Sequence, residues 1–385
     1  MGCEDMPALN DAVRSAGSRI HGIAQKVRRI LVREYRTPSR PSSRLAFTIR
    51  IFFKCLIVRC WKRPRNNIPL VVYDLDKNVI SYDFLSVLYL CEVECRRLGC
   101  EHFDLVLYME KDRITPTAMG AAYENIITAR KIEDRVRDLI IPIAEHYLAC
   151  TSVKIVTTYG DLANTLVDRV HIVPHGYDGI NRPILHQHGL YRYISQGLPF
   201  QGIAAKQEDR DRCAEWIRQN SPHDRIVTFT MRDYGWQPSR NLLLSDISFA
   251  LDSLKRCGVQ PVLIPDLDGN MDVHASDNFI IYRAASKDLG LRLAINERAL
   301  VNVVSPSGPM MAVIFNQNSR GICVKTFHDS PNEETGHGTR IYKQLFRIEI
   351  GSQPLLPAAV LMIWERDFVG ALTAAIEDAV ARRRN

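Results

Sequence analysis

The pattern that most restricts this chain is an alternation. Between residues 68 and 327, short apolar runs alternate with amphipathic stretches of helical period. The run IPLVVYDL (68–75) is apolar on both faces and ends in acid and turn residues. That suits a buried parallel strand covered by helices on either side. ISYDFLSVLYLCEVECRRLG (80–99) follows, with Phe84, Leu85, Leu88, Cys91, Val93 and Cys95 as its apolar positions. Asp83 stands where an N-cap is expected, and Gly99 where a helix stops. FDLVLYM (103–109) is the next strand, so the unit reads as βαβ with a right-handed crossover. A helical stretch (117–148) and strands at 153–161 and 170–178 continue the rhythm. After a polar helix within 201–220 it starts again, with a strand from 225, a helix at 245–258, strands at 259–269 and 278–284, a helix at 291–300 and a strand–loop–helix at 301–318. A last strand falls at 321–327. Two such series in 385 residues predict two α/β domains, each a doubly wound parallel sheet.

The expected division is a basic arm (1–66), a first α/β domain (67–200), a second (201–345) and a closing segment with a helix (346–385). The arm holds 15 Lys/Arg against 4 Asp/Glu, a net of +11, which leaves −4 for the other 319 residues. A slightly acidic body argues against nucleic acid as partner and for an arm that meets an anionic surface. Residues 7–36 read as a helix, TPSRPSS (37–43) as a break and LAFTIRIFFKCLIVRCW (45–61) as a second helix. Arg50, Lys54 and Arg59 interrupt the second run, and each cation at bilayer depth costs about 2.5–3.5 kcal/mol on insertion scales. An in-plane helix is cheaper, with Phe52, Phe53 and Trp61 in the headgroup boundary and Arg50 and Lys54 on anionic lipid. A helix that packs on the body or on a second copy of the chain is the other reading of the arm, and a true span is the third. The start carries no secretory signal pattern, and Met-Gly-Cys lacks the Ser or Thr of a myristoylation motif, having Met6. Ten scattered cysteines without a CxxC pair speak for a reduced compartment and against structural zinc.

In doubly wound sheets, ligands sit at the C-terminal ends of strands, where the strand order reverses. Candidates at those ends are Asp74, Asp76, Tyr159, Gly160, His175 and Gly176, each of which is also ordinary turn chemistry. HQH (186–188) has no nearby Cys or acid and reads as a solvated loop, and the two DLD triplets (74–76 and 266–268) read as strand exits before they read as Mg²⁺ ligands, so no metal is expected. The most informative junction is VNVVSPSGPMMAVIF (301–315). Gly308 removes a Cβ where a ligand approaches the backbone, Pro309 suits a first helical turn, and Ser305 and Ser307 can cap or donate. Free N–H groups at that helix start would suit a diphosphate. Arg232 and Arg240, in the MRDYGWQPSRN loop (231–241), could clamp its oxygens, with Gln237 and Asn241 beside them and Lys325 after the next strand. The plain alternative is a tight turn, with the arginines paired to Asp233 or Glu297. Glu297 itself reads either as a surface charge or as a contact to a ribose or base.

MRDYGWQPSRN and NERALVNVVSPSGPMMAVIF resemble the C-terminal halves of bacterial surface-polysaccharide glycosyltransferases that are distantly fucosyltransferase-like. The residues 68–330 match that layout more loosely. The resemblance implies a GT-B-like fold of two Rossmann-like domains, with a nucleotide-sugar site in the second. It implies Arg232 as donor-phosphate ligand, with Ser305, Ser307 and Gly308 along the diphosphate and sugar. Asp233 stands where the fucosyltransferase-like loop has a second basic residue. The implied chemistry is metal-independent transfer of a sugar from a nucleotide diphosphate, a substrate and not a cofactor, to a glycan or glycolipid. The acceptor base would come from Asp74, Asp83 or His175. The expected place is the cytoplasmic side of the inner membrane, with the arm as peripheral anchor. A non-catalytic scaffold of the same fold, favoured by Asp233, and a nucleotide-sugar epimerase are the alternatives. PNEETGHGTRIY (331–342) is expected as a mobile loop, and WERDFVGALTAAIEDAVARRR (364–384) as a closing helix.

Overall fold

The structure is a computed structural model that describes residues 67–109, 129–179, 181–183, 190–233, 238–266, 276–326, 347, 351–365 and 367–382. The basic arm with Arg50, Phe52, Phe53, Lys54 and Trp61, the HQH triplet, Gln237 and the 331–342 loop lie outside the described residues. The chain divides into two compact units, Met1–Arg65 with Ala163–Asp168, and Asn66–Leu162 with Arg169–Asn385. The second unit holds both sheets.

Its first half runs β1 (Leu70–Asp74), α1 (Phe84–Arg97), β2 (Phe103–Tyr108) and α2 (Ala129–Arg135), which continues through a π turn (Val136–Ile140) into α3 (Ile141–His146). Then come β3 (Cys150–Val156), α4 (Tyr159–Val167, of which the residues from Ala163 on count with the first unit), β4 (Ile172–Val173) and α5 (Leu190–Ile194). The four strands are parallel in the order β3-β2-β1-β4. All five residues of β1 are buried, as expected of a strand apolar on both faces. Helix α1 buries 11 of its 14 residues, Cys91 and Cys95 among them, and stops where Gly99 takes φ +75°. Asp83 does occupy the N-cap position, but its side chain makes no capping bond. Its carboxylate accepts instead from the Ser81 hydroxyl at 3.0 Å.

The second half runs α6 (Gln207–Asn220), β5 (Ile226–Thr230), α7 (Leu244–Arg256), β6 (Gln260–Ile264), β7 (Ile280–Ile281), α8 (Ala284–Lys287) and α9 (Leu289–Arg298). It continues with β8 (Asn302–Val304), α10 (Gly308–Ile314), β9 (Arg320–Cys323), β10 (Ala359–Met362) and α11 (Val369–Arg382). The six strands are parallel in the order β10-β9-β8-β5-β6-β7. The chain therefore builds outward from β5 to one side, then returns and builds from β8 to the other. This is the expected α/β architecture of two Rossmann-like halves. Strand β10 was hidden within the expected closing segment. It is an edge strand whose residues alternate exposed and buried, so it shows no continuous apolar run.

One apolar core runs through both halves, joining Phe84, Leu88 and Tyr89 of α1 to Met310 and Met311 of α10 and to Phe315 after it. The Tyr89 and Phe315 ring centroids are 5.6 Å apart. Each such buried side chain contributes about 1.5–3 kcal/mol, so the halves are firmly packed. A second core lies between α7 and α11, with Ile247, Leu251, Leu372 and Ile376. The connection between the halves is bonded on both sides. Leu148 N–H donates to Gly202 C=O at 2.9 Å, Ile203 N–H to Phe315 C=O at 3.0 Å and Ala205 N–H to Glu297 Oε1 at 2.8 Å. Gly202 has φ +72°, and a Cβ there would meet the Phe315 carbonyl oxygen at 2.3 Å, so only glycine fits. No helix among the described residues is long and apolar enough to cross a membrane.

Candidate active site

In the second sheet the strand order reverses between β5 and β8, and the predicted donor residues gather at the C-terminal ends of those two strands. Arg232 follows β5 and is buried, 6% exposed. Its Nη1 donates to Asn241 Oδ1, while Leu242 N–H donates to the Arg232 carbonyl at 3.1 Å. Arg240 reaches from the same loop to the other strand, where its Nε donates to the Pro306 carbonyl. Neither arginine thus makes Asp233 or Glu297 its partner in these bonds. Ser307 precedes α10 and donates its hydroxyl to the Ser305 carbonyl at 3.0 Å. Pro309 sits in the first turn of α10, where its missing N–H costs nothing.

Gly308 leaves the space expected of it, but a residue of the first half fills that space. A Cβ at Gly308 would meet Tyr82 Cδ2 at 2.8 Å and Tyr82 Cβ at 3.3 Å. Tyr82 comes from the turn between β1 and α1, so the C-terminal end of β1 and the start of α10 meet at one point. The neighbouring Asp83 is within reach of the charge of Arg240. Partial burial raises the Asp83 carboxyl above the ordinary range, and the Ser81 hydroxyl and the Arg240 guanidinium pull it part of the way back. Burial also raises the Tyr82 phenol, with Arg292 opposing and Asp266 adding to the shift.

Arg292 lies on α9 and is 3% exposed. Its Nε donates to the Ala285 carbonyl at 2.9 Å. Its Nη1 is buried without a hydrogen-bond partner, and so is the hydroxyl of Ser305, whose residue is fully buried.

The other predicted residues are placed as follows. Lys325 adopts φ +55° after β9 and pairs with Asp246 Oδ2 at 2.7 Å. Glu297 is half-buried with a largely covered side chain, not a surface charge, and ties the connection between the halves through Ala205, Arg210 at 2.8 Å and Asn316 at 3.1 Å. His175 is exposed after β4. Asp74, at the end of β1, is 1% exposed and held by the Arg182 guanidinium at both oxygens, with the Tyr177 hydroxyl donating to it at 3.0 Å. Arg182 also donates to Asp76 Oδ2 at 2.7 Å. The candidate bases Asp74 and Asp83 are therefore in different states. One is enclosed in an ion pair, and the other stands next to Tyr82, which meets the second half.

Tyr82, Arg182 and Arg292 were missed in the sequence. Tyr82 and Arg182 gain their place from contacts across the chain, which local spacing does not encode. Arg292 did leave a signal, a lone cation inside the apolar stretch LGLRLAI (289–295).

No protein-family model matches the chain, and no curated protein matches it. Solved structures do. A family 9 glycosyl transferase from Veillonella parvula is 12% identical over 82% of this chain and 98% of that one, with a TM-score of 0.48. The ADP-heptose lipopolysaccharide heptosyltransferase II of E. coli is 10% identical over 83% of this chain and 100% of that one, also at 0.48. A UDP-GlcNAc 2-epimerase from Methanocaldococcus jannaschii, in complex with UDP-GlcNAc and UDP, is 8% identical over 83% and 94%, at 0.32. Likeness at this level decides no activity, because one fold carries many chemistries.

Proposed function

We propose that the chain is a GT-B-like glycosyltransferase that moves a sugar from a nucleotide-diphosphate donor, held by the second half, to a hydroxyl presented by the first. One observation carries this reading. Tyr82, next to Asp83 in the turn after β1, lies against Gly308 at the start of α10, and the charge of Arg240, which spans the β5/β8 reversal, acts on the Asp83 carboxyl. Transfer needs a base for the acceptor hydroxyl and cations for the departing diphosphate, and both residue types are present here. In this reading Asp83 takes the acceptor proton, and its raised pKa makes it a better base than an exposed carboxylate. Arg232 stabilises the diphosphate, with Ser305, Ser307 and Gly308 along it, as the fucosyltransferase-like resemblance implies, and Arg240, Asn241 and Pro309 stand beside them. The transfer uses no metal and no cofactor. The acceptor is a glycan or glycolipid, and residues 1–66 hold the protein on an anionic membrane from the cytoplasmic side.

A non-catalytic scaffold is the second reading, favoured by Tyr82 in the space beside Gly308. The test is the melting temperature of the full chain with UDP-, GDP-, ADP- and CMP-linked sugars, for wild type, Asp83→Asn and Arg240→Met. A donor at about 100 times its Kd adds about 2.7 kcal/mol. A rise with one nucleotide class, kept in Asp83→Asn and lost in Arg240→Met, with sugar transfer lost in both, is the expected outcome. No rise with any donor leaves the scaffold.

A further inference from the structure

We infer that Arg292 is a buried receptor for an anionic phosphate oxygen of the ligand, a role that neither the sequence motifs nor the resemblance assigns to it. Three observations converge. First, the guanidinium is 3% exposed and held in place by the bond from Nε to Ala285 C=O, yet Nη1 has no partner. Among the described residues no carboxylate pairs with it. A buried cation without a counter-ion is expensive, and methionine or leucine would fill the same space at lower cost. Second, α9, which carries Arg292, packs against α10 and β5, and the Tyr82 ring rests on Gly308 at the start of α10. Arg292 is thus on a helix beside the meeting point of the two halves. Third, Ser305, three residues before Gly308, has a fully buried hydroxyl that is also unpartnered. Two buried donors without partners thus lie on neighbouring elements, α9 and the segment that leads into α10, one of them cationic, and a phosphate oxygen accepts from either kind. The phosphate carrier, a nucleotide diphosphate, is taken from the proposed glycosyltransferase reading, whereas the receptor itself rests on the buried donors alone.

The experiment titrates the full chain with inorganic pyrophosphate, by calorimetry and by melting temperature, for wild type, Arg292→Met, Arg292→Gln and Ser305→Ala. Wild type is expected to bind and to melt higher with pyrophosphate. A charge-assisted bond of ordinary strength predicts affinity about 10- to 100-fold weaker in both Arg292 variants. Without ligand, Arg292→Met is expected to melt no lower than wild type. A merely structural arginine would instead lower the melting point and leave the affinity of the folded fraction unchanged. Ser305→Ala is expected to fold normally and bind several-fold more weakly. If wild type does not bind pyrophosphate, or if Arg292→Gln binds it as wild type does, the inference is overturned. Should Arg292→Met fail to fold, Arg292→Gln, which keeps a polar group of smaller size, decides alone. Nucleotide sugars separate the two claims. If they bind wild type and Arg292→Gln equally, the receptor is wrong and the transferase stands. If none binds while pyrophosphate binding depends on Arg292, the receptor stands and the transferase falls.

Discussion

Each half of the molecule has a point where its strand order reverses, and the two points treat their charges in opposite ways. Between β1 and β4, Arg182 holds both Asp74 and Asp76, and Tyr177 adds a further bond to Asp74. One guanidinium there serves two carboxylates within the fold. By the reversal between β5 and β8, Arg292 Nη1 and the Ser305 hydroxyl are buried without partners, and Tyr82 of the other half lies against Gly308. A closed ion-pair cluster at one end of a sheet builds stability. Buried donors without partners at the other cost stability, and such costs in folded proteins concentrate at ligand sites.

The sharpest way to break this contrast is Arg182→Met. It leaves two buried carboxylates without a cation, and a loss of about 3–5 kcal/mol in denaturant unfolding is expected. Arg292→Met, the matching change at the other reversal, should show no such loss. Equal losses at both positions would erase the difference. Next comes Gly308→Ala. Its new methyl presses on the Tyr82 ring, and a cost of about 1–3 kcal/mol is expected. Adding Tyr82→Ala should recover part of it, so that a double-mutant cycle reads a coupling between the halves. A smaller effect concerns pH. Because burial raises the Asp83 carboxyl, the native state keeps that proton to higher pH than the unfolded chain does. The stability this gives is complete below about pH 4, the ordinary carboxylate value, and is lost as pH rises through the raised value. Asp83→Asn cannot ionise, so it should melt above wild type at pH 7 and converge with it near pH 4. The smallest change is Lys325→Met. Its pair with Asp246 is partly exposed, and about 0.2–1 kcal/mol is expected from chemical denaturation.

The sheets were legible because parallel strands covered on both faces leave continuous apolar runs, as IPLVVYDL and RIVTFTM do. The strand–loop–helix layout at 301–315 was legible because an apolar run is followed by Pro309, which suits a first helical turn. What the sequence hid was the partner of each charge. Asp74 and His175 looked equivalent to Asp83, since all three follow apolar strands or lie near their ends. Only the three-dimensional position of Arg182 separates the first from the third. Glu297 read either as a surface charge or as a contact to a ribose or base because its helix alone does not say what it meets, whereas the fold turns it onto Ala205 and Arg210. The edge strand β10 was missed for a different reason. With one face exposed it carries apolar residues in alternation, and Leu361 is 41% exposed.

The connection between the halves has a consequence for where the protein opens. A peptide that is bonded on both sides and fixed by Gly202 cannot serve as a free hinge, because rotating the halves would break several backbone bonds at once. In amide hydrogen–deuterium exchange, the N–H groups of Ile203 and Ala205 should therefore rank with the sheet interiors and exchange only through global opening. By contrast, Ser81, Tyr82 and Asp83 in the turn before α1 are only half-buried. That turn, seven residues beyond β1, is where fast exchange should begin.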